Sequence, residues 1–486
     1  MKQLALRVMQ IGAIAVVLAA TTDTAFDLDR FLVPKELVLH LTAVIAGLLT
    51  VRGAVRNKAD RLLIIYLLVS AISAAFATNR WLGLRGLAIS ASAIVLFWAA
   101  RALREAGLER PLLNAIALAV VVAAGIALLQ AYGLQTALFA SERAPGGTLG
   151  NRNFVGHMIA FGLPAVLLAA LNARRRLASA GVAIVFAALV LTRSRAAWIA
   201  AVVVIVIFAI GIVRQKMWSR VGLVTVSAVI GIAAALVIPN RLHWRSENPY
   251  LDSARGVASY DAGSGRGRLI QYERSLRMAA SHPLLGVGPG NWSVEFPRRV
   301  PADDRSLNPS EPGMTFNPWP SSDWIAFVAE RGLGATVILA LAIAGITLGG
   351  SAALIATAAG AIVAGLFDAV LLLPAPALLV WMTLGALSPP PPPEPSRSRT
   401  WLALAVIVIS AIGAARSAAQ LVAMHIYATR GDRASLERAA TIDPGNYRVQ
   451  LRLARIARRT RCEHAIAAHD LFPTAEAARA AASGCK

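Results

Sequence analysis

Arg193 and Arg195 occupy a costly place in this chain. They sit in the tight turn Thr192-Arg193-Ser194-Arg195, between two long apolar runs. A guanidinium at membrane level costs free energy and tends to mark a site. Arg195 opens the next apolar run, where a functional role and snorkelling are the two readings. Arg193 reads as a side chain that snorkels to headgroups. Arginine stays charged at any relevant pH and can grip phosphate oxygens through two parallel hydrogen bonds, so the chemistry on offer is anion binding. Other chemistries lack their residues. His-Glu-x-x-His, Cys-x-x-Cys and a Walker lysine are absent. The histidines at 40, 157, 243, 282, 425, 464 and 469 do not cluster at metal spacing, so no metal or cofactor is expected. The stretch Gly286-Val287-Gly288-Pro289-Gly290-Asn291 lacks the setting of a phosphate cradle and reads as a structural turn.

The elements that must position these residues are apolar. Of 486 residues, 57% are hydrophobic and 15% charged, against about 25% charged in ordinary soluble domains. That deficit excludes a soluble cytoplasmic enzyme, a disordered chain and a secreted disulfide scaffold. The net charge of +22 comes from short Lys and Arg clusters between apolar runs, the juxtamembrane pattern, which argues against a nucleic-acid partner. Runs of the length a bilayer requires read as about thirteen transmembrane helices, near 8–22, 36–51, 61–77, 83–100, 111–132, 153–171, 177–192, 196–213, 220–238, 323–348, 350–370, 372–387 and 400–419. The first has no cleavage site before a soluble domain and is read as a span. The chain is thus an all-α, polytopic membrane protein. With alternating spans, Lys2, Arg56, Arg101, Arg104, Arg175, Arg214 and Arg399 share one side, which the positive-inside rule makes cytoplasmic.

The domain reading follows. Residues 1–387 form the membrane core, with a large outer loop at 239–321. Residues 388–399, rich in proline, form a stiff linker. The final span is 400–419, and 420–486 is an outer tail of short helices. Within the loop, Leu269, Tyr272, Leu276 and Ala279 recur at helical spacing, so an amphipathic helix runs from Arg268 to Ser281 and ends at His282-Pro283. The tail pattern Leu436, Ala439, Tyr447, Leu451, Leu453 and Ile456 partly matches tetratricopeptide helices; it reads equally as a partner-binding module or a small cap. Cys462 opens a helix running to about Asp470. A turn with Thr474 as N-cap returns a second helix, which brings Cys485 back to the same end. On an oxidising side the two form a disulfide; otherwise they are two buried thiols.

Three passages, in this order, resemble the O-antigen ligase-like family of bacterial polytopic membrane glycosyltransferases. The first is Gly147-Thr148-Leu149-Gly150-Asn151-Arg152-Asn153-Phe154. The second is Thr192-Arg193-Ser194-Arg195-Ala196-Ala197-Trp198. The third runs from Arg268-Leu269-Ile270-Gln271-Tyr272 to His282-Pro283-Leu284-Leu285-Gly286-Val287-Gly288-Pro289-Gly290-Asn291-Trp292. The family comprises O-antigen ligases, O-antigen polymerases and protein O-oligosaccharyltransferases. The resemblance implies a GT-C-like fold and transfer of a saccharide from a polyprenyl diphosphate carrier to an acceptor hydroxyl in the periplasm, without metal. It makes Arg195 and Arg268 the diphosphate-binding pair.

The family pattern closes its long loop with a histidine, the proposed base, a few residues before E-x-G. In this chain Ser321 holds that position, while Asp323 and Glu330 fit the acidic positions. Asp323 is therefore the expected base, with His282 or a loss of activity as alternatives; Asp323 also reads as a complement to its helix dipole. Asn151, Asn153, Trp319, His282 and Glu330 are candidate substrate contacts, Trp319 reading equally as an interfacial anchor. The acceptor is a growing glycan, a lipid A core sugar or a protein. The expected location is the bacterial inner membrane, with the N-terminus cytoplasmic and the tail periplasmic, where it could hold a protein partner. A polysaccharide or lipid transporter and a non-catalytic envelope scaffold are the alternatives.

Overall fold

A computed structural model describes the chain except residues 53, 141, 173–174, 215–220, 245, 257–262, 391–398 and 486, and except the side chains of 172, 175–177 and 263–264. Most of the expected proline-rich linker lies outside the described residues.

The described residues are mainly helical, and none of them forms a strand. The helices α1 (Lys2–Leu18), α2 (Asp29–Thr50), α3 (Lys58–Ala75), α4 (Arg80–Arg104) and α5 (Glu109–Ala131) come first. Next are α6 (Arg152–Asn172), α7 (Arg175–Thr192), α8 (Arg195–Arg214) and α9 (Val221–Val237). The long loop holds α10 (Pro249–Arg255), α11 (Gly263–Ala280) and α12 (Trp292–Glu295). Apolar helices resume with α13 (Asp323–Thr347), α14 (Ala352–Gly365), α15 (Pro374–Leu387) and α16 (Thr400–Thr429). The tail adds α17 (Arg433–Ile442), α18 (Tyr447–Ile456), α19 (Arg461–Leu471) and α20 (Glu476–Ala482).

Each expected span coincides with a helix, but their lengths differ. Seven, namely α2, α4, α5, α6, α8, α13 and α16, are long and apolar enough to cross a membrane alone. With 14 residues each, α14 and α15 rise only about 21 Å, short of an apolar layer about 30 Å thick. Every residue of α15 is buried, so this helix is enclosed by protein, against α4. Apolar side chains left outside, such as Val206 and Ile210 on α8 and Val226 and Val229 on α9, form the lipid-facing surface.

The last apolar helix runs to Thr429, beyond the expected end at 419. Arg416 and Gln420 dilute its hydropathy, but both pack toward α2: the half-buried Arg416 faces Glu36 at 3.6 Å and the buried Gln420 has its Nε2 3.4 Å from Asp29. Within the tail, Asp443-Pro444 separates α17 from α18, as the sequence suggests. Cys462 and Cys485 are disulfide-bonded. Thr474 is not the N-cap of the returning helix; that place belongs to Ala475.

Contacts sort the loops onto two ends. At one, Lys2 Nζ donates to Ala102 O at 3.2 Å and Arg56 pairs with Glu105 at 3.0 Å. There too, Arg104 donates to Ala386 O at 3.3 Å and Arg399 to Arg56 O at 3.4 Å. At the other, the tail grips three connections. Arg448 pairs with Glu311 at 3.2 Å and Asp27 at 3.5 Å, and Asn79 Nδ2 donates to Leu471 O at 3.0 Å.

The glycine-rich stretch is a structural turn with a specific partner. α13 breaks at Gly332, whose φ of 81° no ordinary helical residue adopts. The broken backbone pairs with the turn: Val287 N donates to Ala329 O at 3.0 Å, Gly288 N to Glu330 O at 2.9 Å and Leu333 N to Pro283 O at 3.1 Å. Irregular backbone is tolerated at such depth only when protein satisfies it.

Candidate functional site: a cavity of four arginines

Two helix starts form the floor of the site. A Cβ on Gly156 would come within 2.8 Å of the Ala197 methyl, so α6 and α8 approach closely there. Arg152 and Asn153, which open α6, thus stand beside Ser194 and Arg195 at the start of α8. The turn into α8 is held by its own residues. Thr192 Oγ1 donates to Leu189 O at 2.7 Å, and Trp198 Nε1 donates to the same oxygen at 2.9 Å. Arg193 adopts a φ of 52° in this turn.

The loop supplies the other walls. A cavity of about 380 Å³ is lined by Arg152, Arg193, Arg195 and Arg268, with Asn153 and Asp252 among the remaining lining residues. Arg195 Nη1 donates to Gly256 O, and Arg193 Nε donates to Ser253 Oγ at 2.9 Å. The guanidinium groups of Arg193 and Arg152 lie 4.4 Å and 4.8 Å from the centre of the Trp244 ring. Contrary to expectation, Arg193 therefore stacks on protein and lines the cavity; it does not reach out to headgroups.

The electrostatics favour an anion. Four cations face one lining acid, and the N-termini of α6 and α8 add partial positive charge. Burial pulls the Arg193 guanidinium below its ordinary pKa; Tyr250 and Asp252 oppose this, and Arg195 adds to it. An anion in the cavity would relieve that crowding of charge.

Arg268 reaches the cavity because of the face that α11 buries. Beyond Arg268 the buried residues of α11 are Gln271, Ser275, Met278 and Ala279, a stripe at helical spacing that starts one turn on. The expected apolar face is only partly correct, since Leu269 and Leu276 are 50% and 46% exposed. Polar members of the true stripe are satisfied locally. Gln271 Oε1 accepts from Ser321 N at 2.8 Å, and Ser275 Oγ accepts from Trp292 Nε1 at 2.9 Å. Tyr272 Oη lies 2.5 Å from Ser321 O and 2.8 Å from Leu366 O. Ser321, where the family histidine would stand, thus anchors the loop to α11.

Asp323 is not brought to this cavity. It is wholly buried, and its carboxylate accepts from the amides of Val370 at 3.0 Å, Leu371 at 2.8 Å and Leu372 at 3.4 Å. Those bonds occupy both oxygens, so the expected base is a clamp between α13 and the α14–α15 turn. Glu330 is likewise buried, paired with Arg331 at 3.2 Å and facing Trp292 N at 3.4 Å. His282, its Nδ1 3.1 Å from Ser281 Oγ, lies just past the end of α11, whose last residue, Ala280, is already about 18 Å along the helix from Arg268. Trp319 packs on Phe154, ring centres 6.2 Å apart. Asn151 is buried and accepts from Asn153 N at 3.0 Å, fixing the start of α6. Only Asn153 of the expected substrate contacts lines the cavity.

Further residues join the site only through the fold. Besides Arg152 and Trp244, Asp368 stands in the turn between α14 and α15, 3.4 Å from Asn153 Nδ2. His157, one turn after Asn153, is buried with neither ring nitrogen hydrogen-bonded. An acid interrupting an apolar run, and a histidine four residues from Asn153, were the available signals.

Residues 180–340 match the protein-family model described as O-antigen ligase. The match spans the α7–α8 turn, the whole long loop and the start of α13, and so includes both Arg195 and Arg268. No curated protein matches the chain.

Proposed function

We propose that this membrane protein, which carries an O-antigen ligase domain at residues 180–340, is a glycosyltransferase using a polyprenyl-diphosphate-linked saccharide. The observation that carries the reading is that Arg195 and Arg268, far apart in sequence, line one cavity. The polyprenyl tail would lie against lipid-facing helices, and the diphosphate would occupy the arginine cavity. Charge builds on the diphosphate as the glycosidic bond breaks, and prearranged guanidinium groups stabilise it without requiring a metal ion.

The cavity shares the end of the molecule that bears the tail, and the opposite end gathers Lys2, Arg56, Arg104 and Arg399. In our reading the basic end is cytoplasmic and the cavity faces the periplasm of a two-membrane bacterium. A cleft of about 980 Å³ between the loop and the tail, lined by Arg305, Asn308 and Arg479 among others, suits a polar acceptor such as a glycan chain, a lipid A core sugar or a protein segment.

The test is complementation of surface-glycan synthesis by Arg195→Ala and Arg268→Ala, with membrane abundance checked. Both variants are expected to lose the glycan at normal abundance. Full glycan from both would remove the glycosyltransferase reading.

A further inference from the structure

Transfer from a diphosphate needs a group that takes the proton of the acceptor hydroxyl, and the arginine cavity must find it near the anomeric carbon. Asp323 is engaged by backbone amides. Asp252 lines the cavity but is exposed, precedes the Arg193 partner Ser253 and accepts from Ser246 Oγ. It stands where the phosphates would sit, and its charge would oppose theirs.

Asp368 has a different setting. It is half-buried in the turn Leu366–Leu373, which interrupts two apolar helices at the depth of the α6 start. Its neighbour Ala369 donates its amide to one oxygen at 2.9 Å, and Asn153 Nδ2 faces the other at 3.4 Å. Asn153 itself lines the cavity, so Asp368 is reached across one side chain from the four arginines. The turn is held toward α11 by Tyr272, on Leu366 O at 2.8 Å, one helical turn from Arg268. One turn after Asn153 on α6 lies His157, fully buried, with both ring nitrogens lacking a partner. An unsatisfied buried imidazole is costly and tends to mark a working site.

We propose that Asp368 is the general base of the transfer, with Asn153 as its positioning residue; this rests on the glycosyltransferase reading above. In the step, a carboxylate oxygen of Asp368 takes the proton of the acceptor hydroxyl. The acceptor oxygen forms its bond to the anomeric carbon. The bond from that carbon to the diphosphate oxygen breaks, and its electron pair leaves on the diphosphate, held by Arg195 and Arg268. The proton on Asp368 then passes to water. An aspartate in the α14–α15 turn thus supplies the function for which Ser321 has no suitable group.

The experiment pairs surface-glycan synthesis in cells with binding of undecaprenyl diphosphate to the purified full-length protein, read as a thermal shift. Asp368→Asn is expected to cut glycan synthesis at least about a hundredfold while binding undecaprenyl diphosphate within about twofold of the unaltered protein. Asp368→Glu should recover glycan above Asp368→Asn. Glycan above a tenth of normal in Asp368→Asn overturns the proposal, as does equal loss in the two variants. Loss of undecaprenyl diphosphate binding together with glycan also overturns it, since Asp368 would then serve the donor seat or the fold. Arg268→Ala, run alongside, should lose both readouts. Normal glycan and binding there would sink the donor reading, whatever Asp368 does.

Discussion

The Asp323 carboxylate accepts the Leu371 amide at 2.8 Å, with the Val370 amide 3.0 Å away, and so ties the start of α13 to the turn after α14. A turn between two apolar helices has amides with no helical acceptor, and in a dry interior each unpaired one costs about 1–3 kcal/mol. Asp323→Ala should therefore lower the unfolding temperature of the purified protein and reduce its membrane abundance. Asp323→Asn, which keeps one carbonyl oxygen, should fall between. If Asp323→Ala melted normally yet made no glycan, the residue would be chemical after all.

The architecture was legible because apolar runs and basic clusters alternate, and both reflect the bilayer directly. All expected spans coincide with helices, and Lys2, Arg56, Arg104 and Arg399 gather at one end as the charge pattern requires. Arg195 and Arg268 were legible as residues, but Arg152 and Arg193 were not. Their place depends on how closely Gly156 lets α6 approach α8, a contact between distant segments. Asp323 misled because an acid opening a helix looks alike whether it serves a substrate or three amides from another turn. Asp368 falls where two apolar runs are nearly continuous, so hydropathy alone does not single it out.

Trp244 stands as a wall behind half of the cation cluster, outside the cavity lining itself. Its ring holds Arg193 at 4.4 Å and Arg152 at 4.8 Å, contacts worth about 0.5–2 kcal/mol each. Trp244→Ala should weaken undecaprenyl diphosphate binding by about fivefold or more, while Trp244→Phe, which keeps a ring face, should weaken it less. Titration of the two purified variants separates these outcomes. Unchanged affinity in Trp244→Ala would show that the wall does not hold the arginines in their binding geometry.

Gly332 breaks α13 at a φ of 81°, and a Cβ there would overlap the Leu284 carbonyl. Substitution of alanine at such a site is strained in two ways, and a loss above about 1 kcal/mol is expected. Gly334, two residues on, has open space around its Cβ position. Gly332→Ala should lower the unfolding temperature and Gly334→Ala should leave it nearly unchanged. Equal melting of the two would mean that the pairing of residues 283–288 with the break contributes little to stability.

The disulfide between Cys462 and Cys485 joins the start of α19 to the end of the chain across a separation of 23 residues. A closure of that length contributes about 3 kcal/mol through the unfolded chain, and such bonds persist only in an oxidising compartment. The stapled hairpin seats Glu476 N on Pro312 O at 3.0 Å, so tail and loop share the bond's benefit. In intact cells without reductant, neither cysteine should react with a maleimide. Cys462→Ser should expose Cys485 to the reagent and make α19–α20 more sensitive to protease. Labelling of the unaltered protein before reduction would place the tail on the reducing side, and the arginine cavity, which shares that end of the molecule, would go with it.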